Sequence, residues 1–282
     1  MSHARESVEV NRRVNELAPE NNSYWSEYSN HMEVARRQME MAPGNINYRR
    51  RYAYSLSGVA GPAAMLGLVD LAANNYTMSG DILQELSILE PANIDFRFEY
   101  LMREARHSNL IARTGESRGP LKRMEQIYEP LKDVLVSEDF ENLRHNSHWI
   151  IYLLNYSELA WQAGRKELAE SLLTEAIRQL GVLMENVTDF EPLADQILTA
   201  KFQNWQQRGE PSLHVESVPD TAVLLDNNAE SCLTREHRAR MAVMRGERQQ
   251  AAELAKELLD KGYLDPGFIA FCREFEICSE ES

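Results

Sequence analysis

Apolar side chains recur every three or four positions along most of the chain. The clearest case is residues 139–163 and 165–185, where two apolar series are separated by Gly164. This spacing predicts amphipathic helices, and no convincing strand run occurs outside Leu213–Ser217, so we expect an all-α protein. The predicted helices span residues 6–18, 23–42, 46–58, 62–74, 79–89, 94–113, 120–136, 139–163, 165–185, 189–208, 229–245 and 247–262, and Asp265–Pro266 opens a short final helix.

Glycine and proline set the predicted breaks between these helices. Gly58–Pro62 is expected to end the third helix, and Asn74–Asn75 to separate the next two. Pro130 is expected to kink or start a helix. Residues 211–228 lack helical spacing and contain Pro211 and Pro219, so they are expected to be irregular.

A sequence repeat marks the helix ends in the first third of the chain. Glu9–Asn21 recurs 24 residues later as Glu33–Asn45 with eight of thirteen positions identical, and Asp81–Asn93 is a weaker third copy. The Pro in each copy stops a helix because it lacks an N–H, and the Asn two positions later favours an N-cap of the next helix. Repeats of this kind predict stacked helices that bury their apolar faces against their neighbours.

Composition narrows the classes of partner. The 282 residues contain 30 basic and 44 acidic side chains, a formal net charge of −14, which argues against general binding to nucleic acids or anionic membranes. No run approaches 18 apolar residues, so no membrane insertion is expected. No signal peptide is visible, and we expect a cytoplasmic location or, alternatively, a periplasmic domain of a membrane-anchored parent. The start inside a repeat suggests a piece of a longer polypeptide.

Cysteine and histidine provide little catalytic or metal-binding pattern. Cys232, Cys272 and Cys278 favour a reducing compartment or buried thiols over a disulfide framework. His145 and His148 can share a helical face, but the sequence adds no further zinc ligand in a recognisable position. Cys272 with His237 has no local support as a nucleophile and base. We therefore expect no enzyme activity, cofactor or metal.

The region from residue 97 to 123 is locally basic, with seven Lys or Arg and three Glu. Arg97, Arg103, Arg106 and Arg113 lie on one predicted helix, where the last three fall on one side. Such a stripe can hold a carboxylate-bearing or phosphorylated peptide through charge-assisted hydrogen bonds. The alternative is a solvated face whose charge is balanced by Glu99 and Glu104.

Two predicted hairpins share a small-residue pattern. Gly164 is followed five residues later by Ala169, and Gly246 by Ala251, while Ala160 and Ala242 precede the glycines by four positions. This pattern resembles the tetratricopeptide repeat family, and the repeated Pro-x-Asn corners resemble longer variants in large proteobacterial regulatory proteins. In those proteins such arrays often follow a kinase, cyclase or winged-helix module.

The resemblance implies a right-handed α-solenoid of antiparallel helix hairpins. It also implies that first-helix residues contact ligands, which here include Asn155, Glu158 and Gln162. The spacings of 24 and 48 depart from the usual 34 residues, and residues 58–80 and 209–228 fit no repeat. The predicted organisation is a main array over 1–208, an irregular linker over 209–228, and a hairpin with a capping helix over 229–282.

The expected function is a non-catalytic scaffold or adaptor that binds a protein or peptide, acidic or phosphorylated, within a larger bacterial regulatory protein. One alternative is a regulatory module that senses a small molecule or signalling peptide by changing its superhelical curvature. A third is an enzyme on an α-toroid, which requires an enclosed polar pocket with convergent carboxylates or histidines. The sequence sets no oligomeric state.

Overall fold

The protein is all-helical wherever its structure is described. A computed structural model describes residue 12, residues 22–137, 143–185 and 193–210, residue 213 and residues 232–278. Within these ranges there are eleven helices and no strand. They are α1 (Asn22–Met41), α2 (Ile46–Met65), α3 (Val69–Leu89), α4 (Ile94–Arg113), α5 (Arg118–Ser137), α6 (Leu143–Gln162), α7 (Lys166–Glu185), α8 (Ala194–Arg208), α9 (Cys232–Met244), α10 (Arg248–Asp260) and α11 (Pro266–Glu274).

Two predicted helix breaks are wrong. Helix α2 continues through Gly58 and Pro62 to Met65, and α3 runs unbroken through Asn75. Pro62 lies within the last turn of α2, so only one late backbone bond is lost, and the preceding Gly61 has no Cβ to crowd the proline ring. Asn75 is buried against the neighbouring helices, and packing overrides its weak helix propensity. Pro130 likewise lies inside α5.

The same glycine turn joins three helix pairs. Gly67, Gly164 and Gly246 have φ of 71°, 76° and 77°, the left-handed region that costs glycine little. In each turn the following N–H donates to the carbonyl of an alanine five residues earlier, at 2.9, 2.8 and 2.9 Å. The first of these turns contains the same Gly-to-Ala spacing, Gly67 to Ala72, in a region that the sequence reading assigned to no repeat.

The helix starts explain the unusual repeat spacing. Helices α2, α4, α6 and α8 begin at Ile46, Ile94, Leu143 and Ala194, which are 48, 49 and 51 residues apart. The 24-residue recurrence therefore corresponds to one helix with its corner, and the 48-residue recurrence to a pair. A 48-residue pair exceeds the usual 34-residue unit by 14 residues, which adds about two turns to each helix.

The Asn caps expected at the Pro-x-Asn corners form in one of the two described cases. The Asn45 side chain accepts hydrogen bonds from the N–H groups of Asn47 and Tyr48, at 3.0 and 3.2 Å. The side chain of Asn93 instead donates to the carboxylate of Glu90 at 3.5 Å and caps nothing. The competing carboxylate explains the difference, since the other corner has Ala42 at the position of Glu90. Asn21 lies outside the described residues.

Neighbouring helices pack in chain order, and the end of the chain returns to the first half. One large hydrophobic core extends from Ala60 to Ile277. The N–H of Leu264 donates to the carbonyl of Met65 at 2.7 Å, and α11 packs against α4. The last described segment therefore connects the second half of the array to helices of its first half. None of the described helices combines the length and hydropathy needed to cross a membrane.

The expectation of free thiols is wrong for two of the three cysteines. Cys272 on α11 is bonded to Cys278, just beyond it, as a disulfide, while Cys232 is free and buried. The Phe275–Glu276 turn brings the chain back toward α11, because the N–H of Ile277 donates to the carbonyl of Cys272 at 3.1 Å. This local reversal could not be read from cysteine number. Most of the predicted linker over 209–228 lies outside the described residues.

Candidate binding cavity

A cavity of about 680 Å³ lies between helices of the array. Its walls come from five helices, α2, α4, α6, α8 and α9, with Tyr76 of α3 and the Tyr263–Asp265 segment closing the sides. Helices α2, α6 and α9 are each the first member of a pair joined by the glycine turn described above, and α4 is followed by a different turn at Gly115, which has φ of 101°. The cavity size falls within the usual range for small-ligand sites.

Two of these walls are held in register by glutamine side chains. The side-chain amides of Gln196, Gln203 and Gln207 on α8 donate to Ser147 Oγ, Leu154 O and Ser157 Oγ on α6, at 3.2, 3.1 and 3.0 Å. Each pair is 49 or 50 residues apart, so α6 and α8 run in the same direction with their repeats aligned. This fixed alignment places the inner faces of both helices on one surface.

Three of the four predicted arginines line the cavity. Arg103, Arg106 and Arg113 project from α4 into it, whereas Arg97, on the same helix, is exposed outside it. Arg103 is buried and donates to Glu99 at 2.9 Å. Burial, followed by the like charge of Arg106, lowers the Arg103 pKa. Arg106 makes no hydrogen bond or ion pair within the described part of the chain.

The three residues predicted on α6 also divide between the cavity and the surface outside it. Asn155 and Glu158 line the cavity, and both are partly buried. Gln162 is exposed one turn beyond, and its amide donates to Glu158 at 3.4 Å. The structure thus brings five of the seven predicted residues together and leaves Arg97 and Gln162 outside.

The second half of the chain adds a buried carboxylate to the cavity wall. Glu236 of α9 accepts hydrogen bonds from Arg240 at 2.7 Å and from the hydroxyl of Tyr263 at 2.6 Å. Burial alone raises the pKa of Glu236, but Arg240 and the Tyr263 hydrogen bond outweigh it and leave the pKa lowered. Glu236 is therefore held ionised, with two donors fixed on it.

The pKa of Asp265 is shifted in the opposite direction and is raised. Its carboxylate caps α11 by accepting from the N–H groups of Gly267 and Phe268, at 2.9 and 3.1 Å, and pairs with Arg113 at 3.3 Å. Burial is the strongest influence and raises the pKa of Asp265; Arg113 lowers it, and nearby Glu236 raises it further. A proton shared among these side chains therefore binds Asp265 more readily than Glu236.

Aromatic rings and histidines complete the lining. The guanidinium of Arg240 lies 5.1 Å from the ring centre of Phe202 and 4.8 Å from that of Phe271, within cation–π range. His148 stacks on Phe98 at 5.9 Å. His237 Nε2 lies 2.7 Å from a carboxylate oxygen of Asp195. These contacts fix the orientation of the charged groups around the cavity.

Several polar atoms of the cavity side chains are shielded from solvent without a hydrogen-bond partner in the described residues. Two are donors on α4, Arg103 Nε and Arg113 Nε, and two are acceptors on α8, Gln196 Oε1 and Gln203 Oε1. His237 Nδ1 is a fifth. Leaving a buried polar group unpaired costs about 1–3 kcal/mol, so most are paired in folded proteins. These atoms are shielded from the cavity interior as well as from bulk solvent, so a ligand reaches them only if their side chains rotate.

Sequence reasoning missed the cavity residues contributed by α8, α9 and the start of α11. The signal was present for α9, since Ala242 and Gly246 mark it as a first helix, and Glu236 and Arg240 are four positions apart on it. Applying the rule used for α6 would have selected them. Asp265 was recognised only as a helix start, because its pairing with Arg113 spans 152 residues.

One of the weaker candidates for metal or nucleophilic chemistry is contradicted, and another lies partly outside the described side chains. The side chain of His145 falls outside that set, and His148 belongs to the cavity. The described residues contain no group of three His, Cys, Asp or Glu arranged to hold a metal ion. Cys272 is bonded to Cys278 and is not a free thiol.

Comparison with known proteins adds no relative from which to infer the role of this cavity. No protein-family model, no curated protein and no solved structure matches the chain. The findings that bear on its class are therefore internal to the molecule: an all-helical array, helices that pack in chain order, and a repeated glycine turn. These are compatible with a helical repeat fold.

Proposed function

We propose that this chain is a non-catalytic module that binds an acidic or phosphorylated peptide segment of another protein in its inner cavity. The resemblance to repeat arrays of proteobacterial regulatory proteins supports a role within a larger bacterial regulatory protein. The architecture we propose is a right-handed solenoid of antiparallel, tetratricopeptide-like hairpins. Contacts of Arg49 with Glu85 and of Ser79 with Ala53 support antiparallel packing of α2 and α3, because the pairing runs in opposite directions.

The observation that carries the proposal is the position of Arg106. Arg106 lines the cavity between Arg103 and Arg113. Arg103 forms an ion pair with Glu99, and Arg113 forms one with Asp265. Arg106 itself has no ion-pair partner within the described residues. A guanidinium in a partly enclosed site binds a carboxylate or phosphate more strongly than one in bulk water. A preformed cavity also loses little ordering entropy when a peptide enters it.

The direct test uses two arginine variants on the same helix. Isothermal titration calorimetry would measure binding of acidic and phosphorylated peptides to wild type, Arg106→Ala and the matched control Arg97→Ala. We expect Arg106→Ala to weaken binding about tenfold or more, since a charge-assisted hydrogen bond contributes about 1.5–3 kcal/mol. Arg97→Ala should change affinity less than about twofold. Equal losses in the two variants, or no binding by wild type, would remove the proposal.

A second candidate function is a sensory module whose curvature responds to a small ligand. The observation that favours it is the closure of the array, where Arg113 on α4 pairs with Asp265 before α11 at 3.3 Å. A ligand in the cavity touches both sides of this closure and would stabilise the closed form. Small-angle X-ray scattering with and without candidate metabolites, together with thermal stabilisation that depends on ligand concentration, distinguishes it from peptide binding.

A further inference from the structure

The cavity has unlike charges along its length. At the end of the cavity near Arg103, Arg106 is an unbalanced positive charge on α4, because Glu99 neutralises Arg103. The Arg113 end is rich in acid. Its cations are Arg113 and Arg240, and its carboxylates are Glu158, Asp195, Glu236 and Asp265.

The separation between these ends can be read from α4 itself. Arg106 and Arg113 are seven residues apart on a continuous helix, so their backbone positions differ by roughly 10 Å along its axis. The α6 wall runs in the same direction, because His148 stacks on Phe98 near the start of α4 while Glu158 lies near Arg113. The cavity residues of α4 are all arginines, and the acid at the Arg113 end is supplied by Glu158 of α6 and by the facing segments.

We infer that the cavity selects a peptide segment that carries one anionic group and one ammonium group separated by about 10 Å. The anion occupies the Arg106 end, and the ammonium lies at the acidic end beside Glu158. An extended chain advances about 3.3 Å per residue, so the two charged side chains lie three positions apart in the bound segment. This inference rests on the proposed peptide-binding function and specifies its ligand.

Three short peptides and two protein variants test it. The probes are acetyl-Lys-Ala-Ala-Glu-amide, the same peptide with Ala in place of Lys, and the same peptide with Gln in place of Glu. Wild type should bind the first about tenfold more tightly than either of the others by calorimetry. Glu158→Gln, which keeps the side-chain shape, should reduce the preference for Lys to about threefold or less while retaining affinity for the acid-only peptide.

The matched control is Glu129→Gln on α5, which is exposed and outside the cavity. It should leave every ratio unchanged, and circular dichroism would confirm that both variants fold. If wild type binds the acid-only peptide as tightly as the zwitterionic one, the inference fails and the proposed function stands. An undiminished Lys preference in Glu158→Gln overturns the assignment of the ammonium to that end. If none of the peptides binds, the inference and the proposed function both fail.

Discussion

Arg113 and Asp265 form an ion pair at 3.3 Å although 152 residues separate them in the chain. Arg113 ends α4, in the middle of the array, and Asp265 begins α11, near the last described residues. Their contact lies in the wall of the cavity, so the element that closes the array also shapes the site. A change that weakens this ion pair is therefore expected to alter the shape of the cavity as well.

We expect the two residues to be energetically coupled. Asp265→Asn should preserve the helix cap, since Asn is as good an N-cap as Asp, but leave Arg113 without its partner; Arg113→Met removes the guanidinium. Each single change should lower the free energy of unfolding by about 1–3 kcal/mol, because Asp265 is buried but the Arg113 side chain is 32% exposed and solvent screens part of the pair. The double variant should recover about 1–2 kcal/mol relative to the sum. Urea denaturation of the four proteins measures the coupling, and strict additivity would show that the pair does not form.

Glu236 should give a pH-dependent contribution to stability. Because its pKa is lowered in the folded chain, its stabilising effect is present above its ordinary pKa of 4.5 and is lost as pH falls through the folded value. Glu236→Gln should therefore cost about 3 kcal/mol at pH 7 and progressively less below pH 4.5. Urea denaturation from pH 3 to 8 checks this. A cost that is the same at every pH contradicts the ion pair with Arg240.

A comparison of two glycine turns tests whether the segment that contains Leu264 packs against the turn at Gly67. Gly67 and Gly164 have the same left-handed backbone, but a Cβ at Gly67 would lie 3.1 Å from Leu264 Cβ, while one at Gly164 meets nothing within 4 Å. Gly164→Ala should cost about 1–2 kcal/mol from backbone strain alone. Gly67→Ala should cost about 1–2 kcal/mol more, because the Leu264 segment must move. Equal costs, measured by thermal or urea denaturation, would mean that Leu264 does not approach this turn.

Thiol counting tests the disulfide. The protein purified without reductant should show one reactive thiol, Cys232, and only after denaturation, because Cys232 is buried and Cys272 is bonded to Cys278. Reduction in denaturant should raise the count to three. Three thiols in unreduced, denatured protein would contradict the bond. Closing a loop this short is expected to stabilise the fold by about 2 kcal/mol.

The helical class and most helix bounds follow from local sequence. Apolar spacing and the glycines at 164 and 246 predicted α6, α7, α9 and α10 closely, because each signal acts within one hairpin. Proline misled at Pro62, where a favourable preceding residue and burial allowed the helix to continue. The predicted helix over residues 62–74 runs through Gly67 and Ala72, so the identical spacing there was not recognised as a turn between two helices.

The cavity was only partly predictable for a different reason. Helix periodicity places Arg103, Arg106 and Arg113 on one side, and the resemblance adds Asn155 and Glu158. Helix periodicity does not predict which side chains of other helices face these residues. Asp265 reaches Arg113 because the segment before α11 folds back onto α4, and Asp195 meets His237, which is 42 residues away in the chain. Such pairings depend on how helices stack, which no local spacing determines.

In the proposed function, Arg106 binds the anionic group of a peptide within the cavity. The decisive measurement of that contact is a double-mutant cycle between Arg106→Ala and a Glu→Gln change in the bound peptide, with affinities from calorimetry. We expect the two changes to be coupled by about 1.5–3 kcal/mol, because each removes the same charge-assisted hydrogen bond. Effects that add to within about 0.5 kcal/mol would show that Arg106 and the peptide acid do not meet, and would rule out binding through Arg106.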